Sequence, residues 1–140
     1  LLFCLLTGPA WGQSFSSSNL PILVINTGGR TIPDEPKIMA DLSVIDNGPG
    51  RRNALTDRPT LTSKIGIEMR GATSQDFFPK KPYGFETRDN GGVNAVNVAL
   101  LGMPEESDWV LNAVYNDKTL MREALTYDLN DFAVFSRAQV

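Results

Sequence analysis

Residues 65–87 read IGIEMRGATSQDFFPKKPYGFET, and this stretch decides the fold class. Its opening belongs to KIGIEMR at 64–70, where Ile65, Ile67 and Met69 alternate with Glu68 and Arg70. Successive side chains of a strand point to opposite faces, so the alternation predicts a half-buried strand. Residues 79–87, PKKPYGFET, predict another strand, closed by the turn residues RDNGG at 88–92. Lys81 shares parity with Tyr83 and Phe85, the apolar side, whereas Lys80 shares parity with Glu86 and is expected to face water.

The same reasoning extends upstream. LPILVINT at 20–27 is short, rich in β-branched residues and ends at Gly28-Gly29, so a strand is expected. TIPDEP at 31–36 is a loop broken by proline. In KIMADLSVID at 37–46, Ile38, Ala40, Leu42 and Val44 occupy one parity, and the turn DNGPG at 46–50 follows. Downstream, Met121, Leu125, Leu129 and Phe132 recur at three- and four-residue spacing, predicting a helix from Asn116-Asp117 to about Phe132. Strands first and a helix later predict an α+β fold, a mostly antiparallel sheet with a helix packed on one face.

Composition narrows the function. The chain has 140 residues, 41% hydrophobic and 21% charged, which suits one globular domain. Its net charge of −3 lacks the basic surplus that binding of nucleic-acid phosphates calls for, so no nucleic-acid partner is expected. Histidine is absent, which removes the usual general base and the commonest metal ligand. Cys4 is the sole cysteine, so neither a disulfide framework nor a thiolate zinc site can form within the chain.

The first residues, LLFCLLTGPAWG, combine an apolar run, a Gly-Pro break and small residues at Ala10 and Gly12. That is the pattern of a secretory signal whose start is truncated, with residues 1–12 removed and Gln13 as the mature N-terminus; the simpler alternative is a buried N-terminal strand. The run is too short for a transmembrane helix, which needs roughly 20 apolar residues. A Ser-rich linker occupies 13–19, and the main domain is expected over 20–140. The protein is therefore expected to be exported, to the cell surface or beyond.

Taken in order, several segments carry a resemblance. They are Arg70 to Gln75, the Pro-Lys-Lys-x-Tyr run from Pro79 to Tyr83 with Glu86, and Leu-Leu-Gly-x-Pro from Leu100 to Pro104. Next come Asp108-Trp109-Val110-Leu111, then Asp117-Lys118-Thr119 with Arg122. Together with 20–27 and 34–46, they closely resemble the N-terminal half of the CotH family, the spore-coat-type atypical protein kinases also found in exported bacterial proteins. The resemblance implies a fold like the N-terminal lobe of such a kinase. It implies phosphate transfer from ATP to Ser or Thr of a surface or coat protein, assisted by a divalent metal, Mg or Mn. Such chemistry rests on positioning and on neutralising phosphate charge. In the family, the catalytic and metal-binding acidic residues lie in the C-terminal half. None is therefore expected within these residues, and the domain is expected to be incomplete and inactive alone.

Four residues are candidates for holding ATP. Lys81 would carry its stem over the core and its ammonium to a phosphate, with Lys80 beside it. Arg70 precedes Gly71-Ala72-Thr73-Ser74, whose backbone N–H groups and hydroxyls could cradle phosphate oxygens. Glu123 could pair with the strand lysine. Simpler roles stand beside these: edge-strand lysines guard against aggregation, Asp117 caps the helix, Arg122 is a solvated helical charge, and Trp109, Val110 and Leu111 form core. Two other functions are compatible with the residues. One is a non-catalytic exported binding or adhesion module, which would lack acidic metal ligands in the remainder of the protein. The other is a structural β-rich envelope domain, which would not bind nucleotide.

Overall fold

The computed structural model describes residues 15–71, 77–113, 115, 118–119, 122 and 125–126. Seven strands occur among them: β1 Ser17–Ser18, β2 Ile22–Asn26, β3 Ile38–Ile45, β4 Asn53–Ala54, β5 Leu61–Met69, β6 Tyr83–Arg88 and β7 Asp108–Leu111. β1 and β4 form a two-stranded ribbon, and the other five form a sheet in the order β2-β3-β5-β6-β7. The pairs β5–β6 and β6–β7 are antiparallel.

The expected helix packed on the sheet is not what the structure shows: among the described residues every regular element is a strand. Leu125, one of the apolar stripe on which that helix was predicted, is 51% exposed. Helical spacing reports which residues share a face; it does not supply a surface for that face to bury against. Most of 116–132 lies outside the described residues, as do residues 1–12, where a signal is expected from the sequence.

The alternating strands are where the sequence places them. Ala40, Leu42 and Val44 of β3 are buried, together with Ile45, as are Ile65 and Ile67 of β5 and Phe85 of β6. Two boundaries move. β5 begins at Leu61, earlier than the alternation marks, and β6 begins at Tyr83 rather than at Pro79. A proline cannot donate to a sheet ladder, so Pro79 and Pro82 keep Lys80 and Lys81 ahead of the strand. β7 is an edge strand whose Trp109 and Leu111 are half-buried and whose Val110 is 55% exposed. It is therefore not the core segment expected from its composition.

The chain divides into two compact units, Leu1–Val24 with Ser43–Thr62, and Ile25–Leu42 with Ser63–Val140. The first is organised by side chains that satisfy a turn. Buried Asn53 donates to the Leu20 carbonyl at 2.9 Å and accepts from the Asn47 N–H at 2.7 Å. Asp57 accepts from the Ala54 N–H at 2.8 Å and from the Asn47 side-chain amide at 2.7 Å. These bonds, the Ala54 N–H foremost, hold the Asp57 carboxyl below its ordinary value.

The consequence for stability has a definite sign. A carboxyl whose folded pKa is depressed stabilises the fold above its ordinary titration range, and that contribution is lost as pH falls through the lowered folded value. Asn at position 57 can accept the same two bonds without titrating. The thermal midpoint of the parent should therefore fall more steeply than that of Asp57→Asn as pH drops below about 4. Parallel slopes in melts of the two proteins would contradict this role.

In the second unit, the Leu-Leu-Gly-x-Pro segment makes a tight turn in which the Met103 N–H bonds the Leu100 carbonyl at 2.9 Å. Both central residues are left-handed, Leu101 at φ 52° and Gly102 at φ 80°. Only glycine adopts this conformation without steric cost, which explains Gly102. Leu100 is buried and anchors the turn.

Candidate functional site

The register of the second unit sorts its side chains by chemistry. Ile65 lies opposite Thr87, Ile67 opposite Phe85, and Met69 opposite Tyr83, which makes one face apolar. The other face carries Lys64, Gly66, Glu68, Gly84, Glu86, Arg88 and, on β7, Asp108 and Val110. It is laced by ion pairs: Lys64 with Asp41, Arg88 with Glu86 at 2.8 Å, and Lys37 with Asp108 at 3.6 Å.

Two glycines shape this face. A Cβ on Gly66 would sit 2.8 Å from the Arg88 guanidinium carbon, and one on Gly84 would sit 2.8 Å from the Arg70 Cδ. Each glycine thus leaves room for an arginine to lie across its strand. Arg70 follows β5 directly, and its N–H donates to the Pro82 carbonyl at 2.9 Å, continuing the β5–β6 pairing past the strand ends.

Beside Gly84 the face opens into a hollow of about 380 Å³, lined by Lys37, Glu68, Arg70, Asp108, Trp109 and Val110 among others. That volume is in the range of small-ligand sites. Its rim carries two cations and two carboxylates. The Trp109 Nε1–H donates to the Glu106 carbonyl at 3.0 Å, which fixes the indole at the edge of the sheet. A second hollow, about 240 Å³, is lined in part by Arg30, Asp41 and Lys64. Its cations are engaged: Arg30 donates to the Thr27 and Met39 carbonyls, and Lys64 to Asp41. The first hollow, whose Lys37 meets Asp108 at the longer distance of 3.6 Å, is the better candidate for a charged ligand.

Of the residues singled out in the sequence, Arg70 lines this hollow and Lys80 and Lys81 do not. Lys80 is exposed and Lys81 half-buried, in the short segment between Pro79 and Pro82, and Pro82 is the residue bonded to Arg70. Glu123, Asp117 and the hydroxyl-bearing Ala72-Thr73-Ser74 segment lie outside the described residues. Lys118 places its ammonium 3.8 Å from the centre of the Tyr115 ring, a cation–π contact. Tyr115 in turn packs on Phe78 at 5.4 Å between ring centres, so Lys118 stacks on a ring that touches the chain just ahead of Pro79-Lys80-Lys81. The Arg122 carbonyl accepts from the Thr126 hydroxyl at 2.8 Å.

Lys37, Glu68 and Asp108 are not among the ligand candidates read from the sequence, although Asp108 opens one of the family segments. Lys37 could have been suspected from its parity, opposite to the apolar set of Ile38, Ala40 and Leu42. Its meeting with Asp108 is made across the two intervening strands β5 and β6, which local patterns do not encode. Among the described residues no group of three His, Cys, Asp or Glu side chains could hold a metal ion. The divalent metal implied by the resemblance thus has no ligand set there. No helix among them is long and apolar enough to cross a membrane.

Fold and hollow together define a β-sheet protein with one apolar face and one charged, recessed face. A family model described as CotH kinase protein matches residues 67–138, more than half of the chain, including Arg70, Lys81 and Asp108. The chain belongs to the CotH family, whose members are kinase-like proteins. Searches of curated proteins and of solved structures gave no match.

Proposed function

We propose that the full-length protein is an exported CotH-type kinase that transfers the terminal phosphoryl group of ATP to Ser or Thr hydroxyls of a surface or coat protein. The observation that carries this reading is the family match across 67–138. It spans the end of β5 with Arg70 and the segment ahead of β6 with Lys80 and Lys81, two stretches joined by the bond from the Arg70 N–H to the Pro82 carbonyl. ATP would supply the phosphoryl group, and the residues of this chain would hold and neutralise its phosphates. Arg70 suits that role because a guanidinium offers a planar fork of donors to phosphate oxygens. Gly84 lets its stem lie flat across β6.

Incubating the full-length protein with radiolabelled ATP and a divalent metal tests the proposal. Label on Ser or Thr of a co-purified or added surface protein is expected. Nucleotide binding without transfer would mark a non-catalytic binding module, and no binding at all would end the ATP reading.

Export is part of the same proposal. Residues 1–12 should be absent from the exported protein, because an apolar run there meets a small-x-small site. Mass spectrometry should find Gln13 as the first residue. Retention of the residues before it would contradict processing at this point.

A further inference from the structure

Resting on the ATP reading, we infer that Lys37 is a second phosphate-binding cation of the hollow beside Gly84 and that Asp108 is its placeholder, occupying Lys37 until phosphate displaces it. Lys37 and Arg70 are balanced in the hollow by Glu68 and Asp108, so an anion entering it gains little until one carboxylate is withdrawn. The two carboxylates differ in their ability to leave. Asp108 is on the edge strand β7, its side chain is 70% exposed, and it meets Lys37 at 3.6 Å. An exposed pair at that separation is weak, and water readily takes over the carboxylate. Glu68 is on β5, the middle strand of the sheet, and is half-buried.

Lys37 has the opposite character. Its side chain is only 26% exposed, so its stem is held against the sheet while the ammonium reaches the hollow. Displacing Asp108 would leave Lys37 and Arg70 facing one ligand from two sides, a point charge and a fork, the pairing suited to adjacent phosphate groups. The partner chemistry is therefore a polyphosphate. The two cations favour a ligand of several negative charges over a single phosphate, because it gains more from both for the same small loss of the ion pair.

The two residues should therefore move affinity in opposite directions. Calorimetric titration of metal-free ATP and of inorganic tripolyphosphate into the full-length protein tests this. Asp108→Asn should tighten both ligands about two- to fivefold, the range of an exposed ion pair. Lys37→Ala should weaken both about tenfold, the lower end for a charge-assisted contact to phosphate. Neither side chain is buried, so melting temperatures should stay close to the parent's. The gain from Asp108→Asn should shrink in the Lys37→Ala background, which a purely structural role for Asp108 would not produce. If the parent binds ATP but Asp108→Asn leaves affinity unchanged or weakens it, the placeholder role is overturned and the ATP reading stands. The same holds if Lys37→Ala binds as the parent does. If the parent binds neither ligand, the ATP reading falls and this inference with it.

Discussion

Replacing Phe85 by Ala should destabilise the fold by about 3–5 kcal/mol, the cost of removing a large buried aromatic and leaving a cavity. Phe85 is buried, lies opposite Ile67 on β5 and Trp109 on β7, and so joins the middle of the sheet to its edge. The neighbours cannot collapse freely into the space because the strand register holds them. Urea unfolding of the full-length protein, followed by tryptophan emission, would measure the effect, since Trp109 reports on this part of the sheet. Val110→Ala is the control. It stands one residue further along β7 on the other face, is 55% exposed, and should change stability by no more than about 0.5 kcal/mol. A Phe85→Ala variant as stable as the Val110→Ala variant would show that the apolar face is not the core.

Lys81→Ala should weaken ATP binding by the full-length protein about ten- to a hundredfold. A charge-assisted bond to phosphate contributes about 1.5–3 kcal/mol, and each 1.4 kcal/mol is about a factor of ten. Lys81 is half-buried and precedes Pro82, whose carbonyl accepts the Arg70 N–H, so its backbone is tied to the end of β5. Lys80 is exposed and should matter much less. Affinities of the two single variants decide between them. A large loss in Lys80→Ala alone would reverse the assignment, and equal affinity in Lys81→Ala and the parent would end the ATP role proposed for Lys81, which lies outside the hollow lined by Arg70.

The contrast between these residues shows what the sequence makes legible. Alternation is local, so Ala40, Leu42, Val44, Ile65, Ile67 and Phe85 could be read as core from neighbours two positions apart. The two-residue strands β1 and β4 are too short to carry any period. The apolar run of β7 reads as core, yet an edge strand exposes part of it: Val110 falls on the charged face, opposite Gly84. The stripe through Leu125 is helical in spacing, and an expectation of packing was drawn from it that its exposure contradicts.

The site divides along the same line. Arg70 stood out because it ends an alternating strand and opens a family motif. Lys37 did not, and Asp108 only as part of a family segment, because their contact reaches across the intervening strands β5 and β6 and nothing adjacent to either residue encodes it. Nor do Gly66 and Gly84 announce themselves. A glycine within a strand reads as a weakness until the arginine crossing it is seen.

Arg70 is the residue on which motif and geometry converge, so its removal tests the account most directly. Titration of ATP into the full-length protein should give saturable binding that Arg70→Ala weakens by about tenfold or more, with the unfolding midpoint little changed. Identical ATP affinity in Arg70→Ala and the parent would contradict the assignment of this charged sheet face to ATP.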